Sequence, residues 1–320
     1  MAPLFSPRAV GCLQVVARNL PGGVLAALEA RLATGEDAVD LSIRLQRSSN
    51  LSALALVPMP EAVHALLVQW AQPGGALARV PSVWLEIDLP TSVAVPDLLS
   101  TPGTLLVPSV CARLRADADP LWLADTLLPA LTGERPAPDL RALLLRCLAA
   151  VSPPARPVYL FSLLPRAGSP VRLEIFGLGL DGIASCLRQV APASMDRVLA
   201  AAELLTGAER LHLSFDLGAE VLPRIGVEGS FPRLPNREPR WAELFDRLVD
   251  RGLCAAEKRD AALAWPGYDS FWTTPERWPT GVGSGGFCAR ALSHIKLVSR
   301  PDRELEAKAY LLLERLSSKA

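Results

Sequence analysis

The feature that most limits the fold is an order of segments that recurs about five times: two helical patterns, then two strand patterns. Apolar residues three and four apart mark a helix that buries one face, whereas strict alternation marks a strand with one apolar and one polar side. The alternating pairs are DLSIRLQ (40–46) with LSALALV (51–57), SVWLEIDL (82–89) with TLLVPSVCARL (104–114), PVYLFSLL (157–164) with VRLEIFG (171–177), LHLSFDL (211–217) with RIGVEGSF (224–231), and HIKLVS (294–299) with EAKAYLL (306–312). Helical spacing precedes each pair, as in EAVHALLVQWAQ (61–72), DLRALLLRCLAAV (139–151) and RWAELFDRLVD (240–250). The stretch AVGCLQVVARNLPGGVLAALEARL (9–32) also reads as helix, interrupted near Pro21–Gly23.

The unit length drifts and no residue signature recurs, so the repeat is architectural. Five hairpins predict about ten antiparallel strands. Closing them into a barrel removes every exposed edge and leaves the helices only the outside to cover. The expectation is therefore an α+β chain of about five α-α-β-β repeats, a ten-strand antiparallel barrel with helices outside and a polar lumen. No linker divides it, so residues 1–320 read as a single domain. The competing arrangement is an open sheet with its polar side in water.

On this pattern the polar residues of each strand share one face: Ser42, Arg44, Gln46; Trp84, Glu86, Asp88; Ser109, Cys111, Arg113; Arg172, Glu174, Phe176; His212, Ser214, Asp216; Arg224, Glu228; His294, Lys296; and Glu306, Lys308, Tyr310. A lumen lined by so many charges is too costly to bury dry, which predicts a wet, ligand-sized chamber. Lys plus Arg and Asp plus Glu both number 33, so the chain has no general electrostatic grip on nucleic acid or an anionic membrane. Charge chemistry has to be local.

Repeated α-α-β-β units around a polar ten-strand barrel resemble the ABBA aromatic prenyltransferases, whose members modify indoles, phenols and cyanobactin peptides. The motif most similar to that family is Lys308-Ala309-Tyr310, like the Lys-x-Tyr pairs that hold a diphosphate. The resemblance implies transfer of an isoprenoid from an allylic diphosphate to an aromatic, amine, guanidine or peptide acceptor in natural-product biosynthesis, with no cofactor required and Mg possible alongside the diphosphate. It implies Glu86 as the acid that activates the acceptor. Arg113, Arg172, Arg224, Lys296, Lys308 and Tyr310 are the expected diphosphate ligands, because charge builds on the leaving oxygens as the C–O bond breaks. Trp84, Phe176 and Tyr310 would offer π faces to the allylic cation. Asp88, Glu174, His212, Asp216, Glu228 and His294 complete the expected acceptor or shielding set. The sequence departs from the indole branch at Arg172-Leu173-Glu174 and at Arg224 to Glu228, where carboxylates stand in place of tyrosines. They suggest either a cationic acceptor or ion pairs with the arginines. The alternative function is a non-catalytic ligand- or peptide-binding accessory protein of a biosynthetic cluster.

Other signals carry less. The letters of GVGSGG (281–286) follow no strand, so they predict a loop and not a dinucleotide fold. His64, His212 and His294 have no metal-ligand spacing along the chain. WPGYDSFWTTPERWP (265–279) reads either as a lid or as local core. The six scattered cysteines read as reduced thiols, and no 18-residue apolar run or leader pattern appears, which suggests a cytoplasmic protein; abundant Ala, Leu, Arg and Pro suggest a high-GC bacterial source.

Overall fold

The computed structural model describes residues 4–19, 25–35, 38–47, 59–89, 107–271 and 286–316. Its centre is a closed antiparallel sheet of ten strands: β1 (Leu25–Arg31), β2 (Val39–Leu45), β3 (Val83–Leu89), β4 (Ser109–Arg113), β5 (Arg156–Ser162), β6 (Val171–Leu178), β7 (Arg210–Leu217), β8 (Val221–Ser230), β10 (Gly286–Arg300) and β11 (Arg303–Leu316). Each strand lies beside its neighbour in sequence, and β11 pairs with β1 to close the circle. A short extra strand, β9 (Gly267–Phe271), lies along the first residues of β10, while the second half of β10 pairs with β8.

Eight helices sit outside: α1 (Pro7–Asn19), α2 (Glu61–Ala71), α3 (120–132, with a π-helical turn at Leu123–Leu127), α4 (Pro138–Ala149), α5 (Leu180–Val190), α6 (Met195–Leu204), α7 (Arg240–Asp250) and α8 (Ala256–Leu263). From α3 onward the order is helix, helix, strand, strand, whereas each of the first two units has one described helix. None of the described helices is long and apolar enough to cross a membrane. Helix α7 shows why they lie on the barrel. Trp241, Leu244, Phe245 and Leu248 recur on one face, and all four are fully buried. They belong to one hydrophobic core with the outward sides of the strands, where Leu85, Leu160, Leu173, Leu213, Val227, Ile295 and Ala309 are also fully buried.

One expectation fails at the start of the chain. The stretch read as a single interrupted helix is helix only to Asn19, and Leu25–Arg31 is strand β1. The sequence LAALEAR fits both periods and is rich in helix formers, so local propensity misleads and pairing with β2 and β11 decides. The first hairpin is therefore β1 with β2. The segment 51–57, expected to return beside 40–46, lies outside the described residues, as do residues 272–285, with Trp272 and Trp278.

Candidate active site

Alternation turns one side of every strand inward, so the predicted polar faces do line the barrel. His294 pairs across the sheet with Tyr310, and Lys296 with Lys308; all four face the lumen. Among the described residues, two cavities of the lumen share no lining residue. Trp84, Glu86, Arg113, Arg172, Glu174, Glu228, His294, Lys296 and Tyr310 border a cavity of about 290 Å³ toward one mouth. Asp88, Asp216, Arg224 and Lys308 border a larger one, about 770 Å³, at the hairpin turns of the opposite mouth. Phe176 and His212 line neither, but the Phe176 ring meets the His212 imidazole edge-on at 4.6 Å.

Between the cavities runs a belt of ion pairs. Arg172 clasps Asp216 with two bonds, of 2.6 and 3.1 Å, and Arg166 and Arg224 approach the same carboxylate at 3.3 and 3.6 Å. Burial, then the positive Arg172 and Arg166, push the Arg224 guanidinium down to about 10. Lys296 holds Glu228 at 2.6 Å. Burial opposes the charged carboxylate, yet Lys296, His294 and His212 outweigh it and hold Glu228 at about 2. Lys308 donates to Glu29 at 2.6 Å, and the Tyr310 hydroxyl donates to the other oxygen of Glu29. His212 is hydrogen-bonded through Nδ1 to Glu174 at 3.0 Å, and its pKa is raised because that carboxylate outweighs the burial penalty.

Four of the five expected diphosphate cations thus have carboxylate partners. The exception is Arg113, which is exposed at the mouth of the smaller cavity and has no ion-pair partner among the described residues. Arg44 is like it: the guanidinium has no carboxylate partner among the described residues, and its buried Nε has no hydrogen-bond acceptor. Across the sheet from Arg44, the indole Nε1 of Trp84 is also buried without an acceptor. Two buried donors, on Arg44 and Trp84, therefore lack an acceptor, which is a cost until an anion meets them, and the exposed Arg113 adds a positive charge beside them.

Glu86 is the complementary case. It is 8% exposed, borders the same cavity, and makes no ion pair or hydrogen bond among the described residues. Burial, and then the negative Glu29, raise its pKa above the usual carboxylate value. A buried, unpaired carboxyl of raised pKa is suited to accept a proton. Tyr159 and Phe161 of β5, with rings 6.1 Å apart, add aromatic wall to this cavity.

Sequence reasoning missed Glu29, Asp40, Arg44, Tyr159, Phe161 and Arg166 as site residues. Glu29 was hidden by the misread strand. Asp40, Tyr159 and Phe161 lie within strands already recognised, so alternation alone could have found them, and alternation places Arg44 on the inward face without giving it a role. Arg166 sits in the β5–β6 turn, where no periodicity applies.

No family model matches the sequence, and no curated protein resembles it in sequence. Among solved structures the chain is similar to AnaPT from Neosartorya fischeri, with 11% identity and a TM-score of 0.54 over 89% of this chain and 77% of that one. It is also similar to the apo form of the prenyltransferase PriB, with 14% identity and a TM-score of 0.50 over 97% of this chain and 91% of that one. The shared feature is the fold, the ten-strand barrel of the ABBA-type prenyltransferases.

Proposed function

We propose that this ABBA-type barrel transfers a short isoprenoid from an allylic diphosphate to a neutral aromatic or other X–H acceptor in the smaller cavity. The observation that carries the reading is the pairing of opposites within one cavity: buried unsatisfied donors on Arg44 and Trp84 beside the Arg113 guanidinium, and an unpaired, buried Glu86. The diphosphate would lie against the donors, which would stabilise its growing negative charge as the allylic C–O bond breaks. The acceptor would attack the allylic carbon, and its proton would pass to Glu86 while diphosphate leaves. Trp84, Tyr159 and Phe161 would shield the cation from water. A cavity near the lower end of the roughly 300–1,000 Å³ range of ligand pockets favours a short donor.

Two finer expectations change weight. The carboxylates expected to hold a cationic acceptor, Glu174, Glu228 and Asp216, are occupied by His212, Lys296 and Arg172, and Glu86 alone among the described residues of this cavity is left as the base. A neutral acceptor fits better. Likewise Lys296, Lys308, Arg172 and Arg224 would contribute to the diphosphate only by long-range field, since breaking a buried ion pair costs about 3–5 kcal/mol. Those same pairs favour a second reading, a ligand-binding protein without turnover.

Calorimetry with a non-reactive dimethylallyl thiolodiphosphate separates the readings. The expected result is micromolar binding that is weakened by Arg113→Ala and by Arg44→Ala, with Glu86→Gln binding normally and losing turnover of the reactive donor. Binding without turnover for any acceptor supports the carrier, and undiminished turnover by Glu86→Gln removes Glu86 as the base.

A further inference from the structure

Three neighbouring strands bring together a set of side chains that the transfer reaction does not use. Glu174 of β6, His212 of β7 and Glu228 of β8 each present one ligand atom, all within 4.8 Å of one another. We propose that this triad binds a divalent first-row transition-metal ion of the zinc class. The proposal does not depend on isoprenoid transfer.

The spacing comes close to that of ligands around such an ion, with the Glu174–His212 pair inside the range and Glu228 Oε2 having to move in by a few tenths of an ångström. Donors held about 2.0–2.2 Å from zinc at tetrahedral to octahedral angles stand roughly 3.0–3.5 Å apart. Glu174 Oε1 lies 3.0 Å from His212 Nδ1, and Glu228 Oε2 lies 3.8 Å from the same nitrogen. One imidazole nitrogen with two carboxylate oxygens suits zinc and its neighbours better than Mg, which prefers oxygen and water.

The surroundings orient the donors. Lys296 takes the other oxygen of Glu228, Oε1, at 2.6 Å and leaves Oε2 turned toward His212. Metal binding displaces the His212 proton, and two carboxylates against the Lys296 ammonium then leave a net negative charge for the cation. Phe176 packs edge-on against the imidazole and fixes its plane. Each ligand stands on a paired barrel strand, which holds it in place more firmly than a loop would. His294 is the next donor outward, with Nε2 3.4 Å from Glu228 Oε2 and Nδ1 3.0 Å from Ser293 Oγ.

Glu174, Glu228 and His294 all border the smaller cavity, so the ion's open positions would face it. There they would accept an oxygen or nitrogen of whatever the cavity holds. Sequence spacing hides the set because its members are 38 and 16 positions apart on separate strands.

The test is titration of the chelator-treated full-length protein with Co²⁺, followed by visible absorption and competed with Zn²⁺. The expected result is one equivalent bound, with a d–d spectrum that Zn²⁺ abolishes. Affinity should fall by about tenfold or more in both His212→Ala and Glu174→Gln, and stay at the wild-type value in His64→Ala. Circular dichroism checks folding, and His212→Gln replaces His212→Ala if the latter does not fold. Failure of the folded wild type to bind one equivalent overturns the proposal. So does a thiolate-to-cobalt charge-transfer band, which would put the metal on a cysteine, or affinity unchanged in either ligand variant.

Discussion

Inside this barrel a single missing side chain decides where a charge can lie. A Cβ at Gly226 would stand 2.6 Å from Ser214 Oγ and 2.7 Å from Lys296 Cε, so only glycine lets the lysine cross β8 to reach Glu228. Gly226→Ala should displace Lys296 and destabilise the fold by about 1–3 kcal/mol, read by urea unfolding. Asp40 offers a pH test. Burial, then the neighbouring Glu29, with Asp88 adding, outweigh the Arg31 guanidinium that donates to it at 3.1 Å and raise it to about 9 from an ordinary 3.8; it shares a hydrogen bond with Glu29, which stays charged beside Lys308. The folded state therefore keeps a proton that the unfolded chain releases. This contribution to stability is complete below pH 3.8 and is lost as pH rises toward 9. Asp40→Asn should remove that slope, so the variant gains on the wild type as pH rises through the window, as measured by urea unfolding. The residue types of the lumen were legible in the sequence, but their partners were not. Lys308 and Glu29 are 279 positions apart, and no local pattern links them.

At the scale of elements, the helices were the most legible because each carries a repeated apolar stripe over several turns. Phe245→Ala in α7 removes a fully buried ring from the layer between helix and barrel. It should cost about 3–5 kcal/mol, again by urea unfolding, with little effect on ligand binding because the ring lies outside the lumen. Strands were legible where polar and apolar residues alternate, as in VRLEIFG. They were illegible where alanine blurs the contrast, as in β1. Strand β10 begins earlier than expected for a related reason: GFCARALS (286–293) has no clear alternation, and pairing with β9 and β11 extends it.

The whole molecule depends on closure. That ten strands form a barrel was inferred from the cost of open edges, and the structure agrees; that β1 meets β11 rested on no sequence signal, because β1 itself was taken for helix. The seam is well built, with seven consecutive residue pairs from Leu25 opposite Glu314 to Arg31 opposite Lys308. Deleting 303–316 should therefore abolish cooperative unfolding by exposing both β1 and β10, while deleting β9 should leave a cooperative transition, as followed by circular dichroism on heating.

The seam also fixes when the protein can first become whole. A ribosome that adds about 5–20 residues per second needs roughly a quarter of a minute to a minute to go from the end of β1 to the start of β11. For that interval the nascent chain presents an unpaired apolar strand edge with nothing of its own to cover it. Slower translation lengthens the exposure, and a chaperone that covered the first strand until the last arrives would be expected to raise the yield.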